Sequence, residues 1–237
     1  QYLNTYFPTV FKTNTRYIYS DKADLSITIK NFTMIKDLFL NDVMISPNTQ
    51  IDASFDAAIN YLYIKSSNNF VNYAGVKFQN NNLVVNSLPK GISLQYQTNK
   101  IALNDSLTFK NGLINLVAND KTSGFELTWN NDSKPLYSGN LKGQVLFGAT
   151  QANILLDKVK IVVADSVWQL VKPNPITMDS SFHIKVNPIS FYNNNQLITI
   201  DGTLSKDDDD KCDVFIQNVK LSQLNPLLAG ANFSIDG

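Results

Sequence analysis

The chain has 237 residues, with 20 basic and 20 acidic side chains, so its formal net charge at pH 7 is zero. Without a basic stripe to follow phosphates, the composition argues against nucleic-acid binding. A single cysteine, Cys212, and a single histidine, His183, exclude an internal disulfide and a Cys/His metal cluster. We therefore expect no cofactor and no metal, in a chain long enough for one large all-β domain or two ordinary ones.

The two ends of the chain carry no recognisable signal. The chain begins at Gln1 without a signal-peptide pattern and ends at Gly237 directly after F-S-I-D-G, with no polar tail. No apolar run approaches the roughly 18 residues that a membrane helix needs. We interpret both ends as cuts within a longer protein, whose anchor and targeting signals would lie outside this window.

The first thirty residues predict two strands. Residues 1–20 are rich in aromatic and β-branched side chains, and Pro8 restricts a strand there to an edge or a start. Further on, Leu25, Ile27 and Ile29 alternate with polar residues and therefore share one face of a strand.

The next stretch breaks this alternation. The apolar residues of Met34–Leu40 have helical spacing, and Thr33 can cap the first turn. The pattern predicts a short helical plug at one end of the sheet. The S-P-N-T sequence at 46–49 that follows predicts a turn.

From Gln50 onward, short alternations are separated by turn residues at intervals of roughly ten residues, which is typical of an all-β chain. The predicted turns are the Asn-, Gly-, Ser- and Lys-rich stretches at 66–69, 79–82, 88–91, 98–100, 110–112 and 119–124. The predicted strands are Ile51–Phe55, Tyr61–Ile64, Tyr73–Phe78, Leu83–Val85, Ile92–Tyr96, Leu107–Phe109, Leu113–Ala118, Phe125–Trp129, Tyr137–Phe147, Ala152–Val163, Val167–Val171, Ile176–Met178, Ser181–Val186, Gln196–Asp201, Asp213–Val219 and Phe233–Ile235.

A weak internal repeat links the two ends. The alternation and apolar cluster of residues 24–55 match those of residues 211–237, and both units reach a strand that opens with Ile-Asp. Each unit would contain a strand, a helical plug and a new strand, the second plug at Leu221–Leu228. The repeat predicts one continuous all-β segment over 1–237, in which each unit shields the edge of its neighbour.

The residues that could carry chemistry are isolated in the sequence. We predict that His183 is a solvent-facing strand residue and that Cys212 is a half-buried one. The acidic run Asp207–Asp210 predicts a charged hairpin tip, because four consecutive carboxylates cannot converge on one Ca²⁺ ion. The chain has no G-x-S-x-G, P-loop or dinucleotide fingerprint. We therefore predict a protein that is not an enzyme and has no catalytic residue.

Two further features favour packing over ligand binding. The G-N-L-K-G sequence at 139–143 indicates a bend or bulge in a strand. Trp129 and Trp168 each sit among apolar residues of an alternating strand, which favours a packed position over carbohydrate stacking.

Several degenerate pieces, in their order along the chain, resemble one known family. They are I-T-I-K-N-F-T-M-I-K-D-L-F at 27–39, I-S-P-N-T-Q-I-D-A-S-F at 45–55, A-N-D-K-T-S-G-F-E-L-T-W-N-N at 118–131, Y-S-G-N-L-K-G at 137–143, the W-x-L-x-x-P-N-x-I series at 168–176, N-Q-L-I-T-I-D-G-T-L-S at 195–205 and V-F-I-Q-N-V-K-L-S-Q-L-N-P-L-L at 214–228. Together they resemble the carboxy-terminal half of AsmA-like proteins of the translocation and assembly module (TamB) type, in the form found in Bacteroidota.

The resemblance implies an elongated, curved, U-shaped sheet, the β-taco, with an apolar inner groove. Such proteins are anchored in the inner membrane, cross the periplasm, carry phospholipid between the membranes and support outer-membrane assembly. The implied partners are phospholipid acyl chains and, through regions outside this chain, an outer-membrane assembly protein. The family has no catalytic residues, so the resemblance assigns none.

The alternation itself also favours a groove for acyl chains, because a single sheet with one apolar face leaves that face open. The candidate groove-lining residues are Leu25, Ile27, Ile29, Ile92, Leu94, Tyr96, Phe125, Leu127, Trp129, Ile198, Ile200, Val214 and Ile216.

Two other interpretations stay open from the sequence. A secreted or surface β-sandwich that binds a glycan or a protein would close two apolar sheet faces on each other. A β-helical polysaccharide enzyme would need carboxylates or basic residues that converge on one sheet face.

Overall fold

The computed structural model describes residues 2–9, 22–32, 43–73, 75–104, 107–130, 137–163, 166–205, 207, 209–220 and 225. These residues include one short α-helix, α1 (Tyr2–Tyr6), one 3-10 turn (Ala57–Ile59) and fifteen strands, and Asn225 is also helical. The strands are β1 (Lys22–Ile29), β2 (Val43–Ile45), β3 (Thr49–Asp56), β4 (Tyr61–Tyr73), β5 (Val76–Leu88), β6 (Gly91–Ala102), β7 (Thr108–Asn119), β8 (Thr122–Asn130), β9 (Tyr137–Phe147), β10 (Gln151–Val163), β11 (Ser166–Leu170), β12 (Ile176–Asp179), β13 (Ile184–Asn193), β14 (Gln196–Leu204) and β15 (Cys212–Gln217).

All fifteen strands belong to one antiparallel sheet in which neighbours in the sequence are mostly neighbours in space. The sheet runs β1-β3-β4-β5-β6-β7-β8-β9-β10-β11-β13-β14-β15. The short strand β2 pairs with the far end of β4, beyond the stretch that pairs with β3. In the same way β11 and β12 pair with opposite ends of β10, so the two share one position in the sheet. The all-β class predicted from the alternation is therefore confirmed.

The boundaries of the strands differ from the prediction in an instructive way. The strand at Tyr137–Phe147 has the predicted bounds, and the predicted turn at 46–49 is present, with Asn48 at a φ of 61°. However, the predicted turns at 66–69, 79–82, 98–100 and 110–112 are wrong, because all four lie inside long strands. The predicted strand Tyr73–Phe78 is also wrong, since β4 ends and β5 begins within it.

The amino-terminal segment is helical where a strand was predicted. Within residues 2–9, Leu3, Tyr6 and Phe7 have helical spacing and all pack against the same buried cluster. The amide of Phe7 donates to the carbonyl of Leu3 across 2.9 Å, which closes the helical turn. Aromatic content suggested a strand, but the three-and-four spacing of these side chains decides the conformation.

Four asparagines mark a line across β4–β7, one in each strand: Asn69, Asn80, Asn99 and Asn111. The register pairs the residues on both sides of this line, and the four asparagines lie opposite one another within it. We call it the asparagine line. Asn80 and Asn111 have φ values of 54° and 50°, in the left-handed region that asparagine tolerates better than most residues.

Each strand carries an extra residue at the asparagine line. In β5, Asn81, Leu83 and Val85 alternate on one face, but on the other side of the line Phe78 takes that face. The Phe78 ring lies 6.4 Å from the ring of Tyr96, the register partner of Leu83. Successive residues on this face are therefore three apart at the line and two apart elsewhere. Because adjacent strands make the same step, their pairing stays in register.

A second line of irregularity crosses β10–β13, and we call it the bulge line. The register shifts between Leu156 and Lys158 in β10 and again between Val186 and Ile189 in β13. Between these strands, residues 171–175 interrupt the position that β11 and β12 share. Asn187 Nδ2 donates to the Pro175 carbonyl across 2.7 Å, which bridges the interruption through a side chain.

Three predicted features lie outside the described residues. They are the helical plug at Met34–Leu40, the second plug at Leu221–Leu228 apart from Asn225, and the strand Phe233–Ile235. Of the two repeat units, 24–55 and 211–237, the structure describes β1 to β3 in the first and β15 in the second. These lie at opposite ends of the sheet.

Candidate functional site

One face of the sheet is continuously uncharged. Residues that pair across antiparallel strands point to the same side, so the register carries each face from β1 to β15. We call the face that contains Val85, Ile92 and Ala118 the apolar face, and the opposite one the polar face. No Asp, Glu, Lys or Arg is registered on the apolar face of any strand that the structure describes.

The register places all thirteen candidate lining residues on this apolar face. At the β1 edge, Leu25 and Ile27 pair with Ala53 and Ile51. The interior set contains Ile92, Leu94, Tyr96, Phe125, Leu127 and Trp129, linked through β7. The far set contains Ile198 and Ile200, which pair with Ile216 and Val214.

Burial within these thirteen residues varies strongly with position. Ile92 is 2% exposed, whereas Leu25, Ile27, Val214 and Ile216 on the two edge strands are all exposed. The others, including Ile29, are half-buried. The apolar face is thus most covered in the interior of the sheet and most open at its two edges.

The amino-terminal segment covers one patch of the apolar face. Val85, Ile92 and Ala118 form a buried cluster, and Leu3, Tyr6 and Phe7 pack against it. The Phe7 ring also meets Phe147 edge-on at 5.3 Å. At the end of the segment, Thr9 Oγ1 donates to the Gly148 carbonyl across 2.6 Å. Residues 2–9 therefore reach from the middle strands to the β9–β10 turn.

A polar crossing interrupts the apolar face beside the asparagine line. The Tyr96 hydroxyl donates to Asn81 Oδ1 across 2.8 Å, and Asn81 Nδ2 donates to Asn68 Oδ1 across 2.7 Å. Asn81 and Thr98 are both buried, and Thr98 Oγ1 donates to the Gln79 carbonyl. Burial raises the pKa of Tyr96 because the phenolate would lose its hydration, so this hydroxyl stays protonated.

An aromatic row lies on the other side of this crossing. The ring of Phe109 lies 5.8 Å from that of Trp129 and 6.5 Å from that of Tyr137. Of these, only Trp129 was predicted to line the face. Phe109 and Tyr137 could have been found only by knowing where the alternation steps by three.

The largest buried cluster flanks the bulge line. Leu156 and Val159 of β10 lie on either side of it, as do Val186 and Ile189 of β13, and all four are buried. Partly buried side chains from β8 to β14 pack around them, namely Phe125, Leu141, Ile161, Leu170, Ile176, Ile184, Phe191 and Ile200. These four central residues were not identified from the sequence. They could have been found from the apolar pairs that lie three residues apart, Leu156 with Val159 and Val186 with Ile189.

Both tryptophans pack on the apolar face, as predicted. Trp168 is buried opposite Ile161, and Trp129 lies over Gly139. A Cβ on Gly139 would come within 2.1 Å of Trp129 Cη2, so a glycine is needed to make room for the ring. The prediction of a bend at 139–143 is wrong for β9, because the extra residue sits in β10, opposite Gly143.

The polar face holds its charges in water. Lys142 Nζ lies 3.0 Å from Glu126 Oε1 on the neighbouring strand. The hydrogen bond from Lys142 lowers the pKa of the Glu126 carboxyl below its usual range. Amide pairs such as Gln95 Nε2 to Asn115 Oδ1, at 3.1 Å, continue this surface across β6 and β7.

His183 lies in a turn and not in a strand, so that prediction is wrong. Its Nδ1 is 2.9 Å from Asp179 Oδ2, and its Nε2 is 3.2 Å from Asp207 Oδ2. The hydrogen bond that the His183 ring donates to Asp179 raises the pKa of His183, and the backbone amides of His183 and Ser181 help to lower the pKa of Asp179. The two carboxylates lie at opposite ring nitrogens, so a protonated His183 links the β12 end to the β14–β15 loop by two ion pairs. We call this cluster the electrostatic tie.

The other candidate chemical residues have structural positions. Cys212 is half-buried at the start of β15, as predicted. The acidic run lies between β14 and β15, which pair as an antiparallel hairpin, so the predicted hairpin tip is confirmed. Among the described residues, no group of three or more His, Cys, Asp or Glu side chains could hold a metal ion.

Comparison of the chain with protein-family models, with curated proteins and with solved structures gives no match. In the described part of the chain, no helix is long and apolar enough to cross a membrane.

Proposed function

We propose that the apolar face is the inner wall of an open, curved groove that carries phospholipid acyl chains. In this proposal the chain is a segment of an AsmA-like protein that is anchored in the inner membrane and spans the periplasm. The groove would pass lipid between the inner and outer membranes and support outer-membrane assembly. The observation that carries the proposal is a face that stays uncharged across every described strand of the sheet.

The chemistry of this face suits hydrocarbon without selecting one position for it. Transfer of one methylene from water to an apolar surface contributes about 0.8 kcal/mol, so a chain of a dozen or more carbons binds without any specific contact. Movement of the chain along the groove exchanges similar contacts, so no deep minimum holds it. The half-buried candidates, such as Leu94 and Ile198, are accessible enough to touch such a chain.

Curvature of the sheet is supported by the two lines of irregularity. Bulges bend a strand and increase its local twist. Register shifts occur in β10 and β13, and the asparagine line crosses the adjacent strands β4–β7. Leu156 and Ile189 are buried on the apolar face although all described strands belong to one sheet. If the sheet curves toward its apolar face, side chains of that face cover one another, which accounts for the burial of Leu156 and Ile189. A sandwich, in contrast, would require a second sheet.

Two adjacent residues of β15 provide a matched test of the groove. Ile216 lies on the apolar face and is 44% exposed, whereas Phe215 lies on the polar face and is 60% exposed. Because both side chains are accessible, neither substitution should unfold the protein. We expect Ile216→Glu to reduce lipid binding several-fold, and Phe215→Glu to leave it unchanged.

The measurement is mass spectrometry of lipids extracted from the purified chain, together with titration of a fluorescent fatty acid. In cells, the intact protein with Ile198→Glu or Ile216→Glu should fail to support normal outer-membrane lipid balance. Equal lipid binding by the two β15 variants, or no lipid in any sample, would show that the groove assignment is wrong.

A further inference from the structure

A recess that none of the candidate groove residues lines is found at one end of β11 and β13. Val167, Gln169 and Tyr192 lie on the polar face, whereas Ser166 and Asn193 are registered on the apolar face. It has a volume of about 430 Å³ and is lined by Ser166, Val167, Gln169, Tyr192, Asn193 and Asn194. These residues come from β11 and from the end of β13 with its following turn. The volume falls at the lower end of the roughly 300–1,000 Å³ typical of small-molecule sites.

The strands that form the base of the recess are packed on their opposite, apolar face. Trp168 and Phe191 precede the polar-face residues Gln169 and Tyr192 and point to the apolar face, where Trp168 is buried. Gln169 and Tyr192 pair directly across the two strands, and the Tyr192 hydroxyl donates to Gln169 Oε1 across 3.0 Å. The recess is therefore built on packed strands, with the tyrosine ring held in place.

The described residues of the lining are uncharged and mostly polar. Five of the six side chains have hydroxyl or amide groups, and the sixth is Val167. The Tyr192 hydroxyl donates to Gln169 Oε1, and the Nε2 amide group of Gln169 can donate to a ligand. Lys160, the register partner of Gln169 on β10, does not line the recess. Among the described lining residues, a phosphate or a metal ion would find no charged partner, and an acyl chain would meet mostly polar groups.

One aromatic ring remains available in these polar surroundings. Tyr192 is 42% exposed, and it presents an amphipathic surface with an apolar body and a polar end. A sugar ring has the complementary chemistry, since its C–H faces pack on aromatic rings and its hydroxyls both donate to and accept from amides. We propose that this recess binds a neutral saccharide of one or two sugar rings, with Tyr192 as the stacking platform and Gln169 as a donor.

The experiment uses saturation-transfer NMR of the purified chain with maltose, cellobiose and N,N′-diacetylchitobiose as probes. We expect transfer to at least one probe, strongest at its ring C–H protons. Tyr192→Ala should weaken binding about ten-fold, which corresponds to roughly 1.4 kcal/mol. Tyr192→Phe keeps the ring and should retain most of the affinity, while Gln169→Ala should lose several-fold.

The matched control is Tyr61→Ala, because Tyr61 also lies on the polar face and is 40% exposed, but far along the sheet on β4. It should bind as the parent protein does. The proposal is overturned if none of the three probes receives saturation, or if the Tyr61 and Tyr192 variants bind equally. Should Tyr192→Ala fail to fold, unchanged binding by Gln169→Ala overturns it. The stacking residue Tyr192 and the donor Gln169 lie on the polar face, so loss of lipid binding at the apolar face leaves the proposal standing.

Discussion

The asparagine line and the bulge line share one backbone irregularity, an extra residue in the strand, but different side chains surround it. At both, residues of the apolar face lie three apart in the sequence and not two. At the asparagine line the flanking buried residues include Asn81 and Thr98, whereas at the bulge line they include Val186 and Ile189. The extra residue therefore interrupts the two-residue alternation in both places, but the side chains beside it decide whether the interruption holds a polar crossing or an apolar core.

The bulge line should be the more costly of the two to disturb. Ile189→Ala removes buried methyl groups from the center of the larger cluster, where the side chains from several strands meet. We expect a loss of about 2–4 kcal/mol in the free energy of unfolding, from lost transfer energy and the cavity that remains. Denaturant titration followed by tryptophan fluorescence measures this loss.

Val214→Ala is the control for that measurement, because Val214 lies on the same face but is exposed at the edge. Its effect should stay within about 0.5 kcal/mol. If the two variants lose equal stability, the cluster at the bulge line is not a core.

The asparagine line should respond to loss of a hydrogen-bond partner. Asn81→Ala leaves the Tyr96 hydroxyl and Asn68 without their shared partner in a half-buried site. We expect it to cost about 1–3 kcal/mol, which is the range for an unsatisfied buried polar group. The double variant with Tyr96→Phe should recover part of this cost, because it also removes the hydroxyl that Asn81→Ala leaves without a hydrogen-bond partner.

The adjacent residue Asn82 supplies the control for this second comparison, since it lies on the polar face. Asn82→Ala should change stability by no more than about 0.5 kcal/mol. Strict additivity of Asn81→Ala and Tyr96→Phe in denaturant titrations would mean that the crossing has no energetic coupling.

The smallest expected effect concerns pH and lies outside both lines. The raised pKa of His183 stabilises the fold fully below the unfolded value of about 6.5, and this contribution disappears as the pH rises through the folded pKa. The lowered pKa of Asp179 acts oppositely, and its contribution disappears as the pH falls through the folded value. The tie is therefore strongest in mildly acidic solution.

Among the described residues, the charged groups that act on His183 are Asp179, Asp207 and Asp210, and all of these side chains are open to solvent screening. We expect only a small rise in the melting temperature from pH 8 to pH 5.5, and His183→Gln should abolish that rise. An NMR titration that gives His183 an ordinary or lowered pKa would contradict the proposed tie.

The all-β class and the common face of the candidate residues could be predicted from the sequence. Strict alternation of apolar and polar residues fits a strand, in which every second side chain points to the same face. The sequence did not allow the strand lengths to be predicted. Asparagine is favoured in turns, since it tolerates left-handed backbone and bonds its own main chain. Asn80 and Asn111 adopt the left-handed backbone inside a strand and not in a turn. This placement can be recognised only from the neighbouring strands, which have an asparagine at the same position. The helical spacing of Leu3, Tyr6 and Phe7 was present in the sequence but was outweighed by the aromatic and β-branched content of residues 1–20.

The asparagine line also constrains how the length of this protein can change. Removal of Asn80 alone would restore strict alternation in β5 and turn Phe78 toward the polar face, while its partners Val71 and Ile101 stayed where they are. A deletion in one strand therefore requires a matching deletion in its neighbours. We expect single-residue insertions and deletions to be tolerated at the hairpin turns of this sheet, and at the line only when several strands change length together.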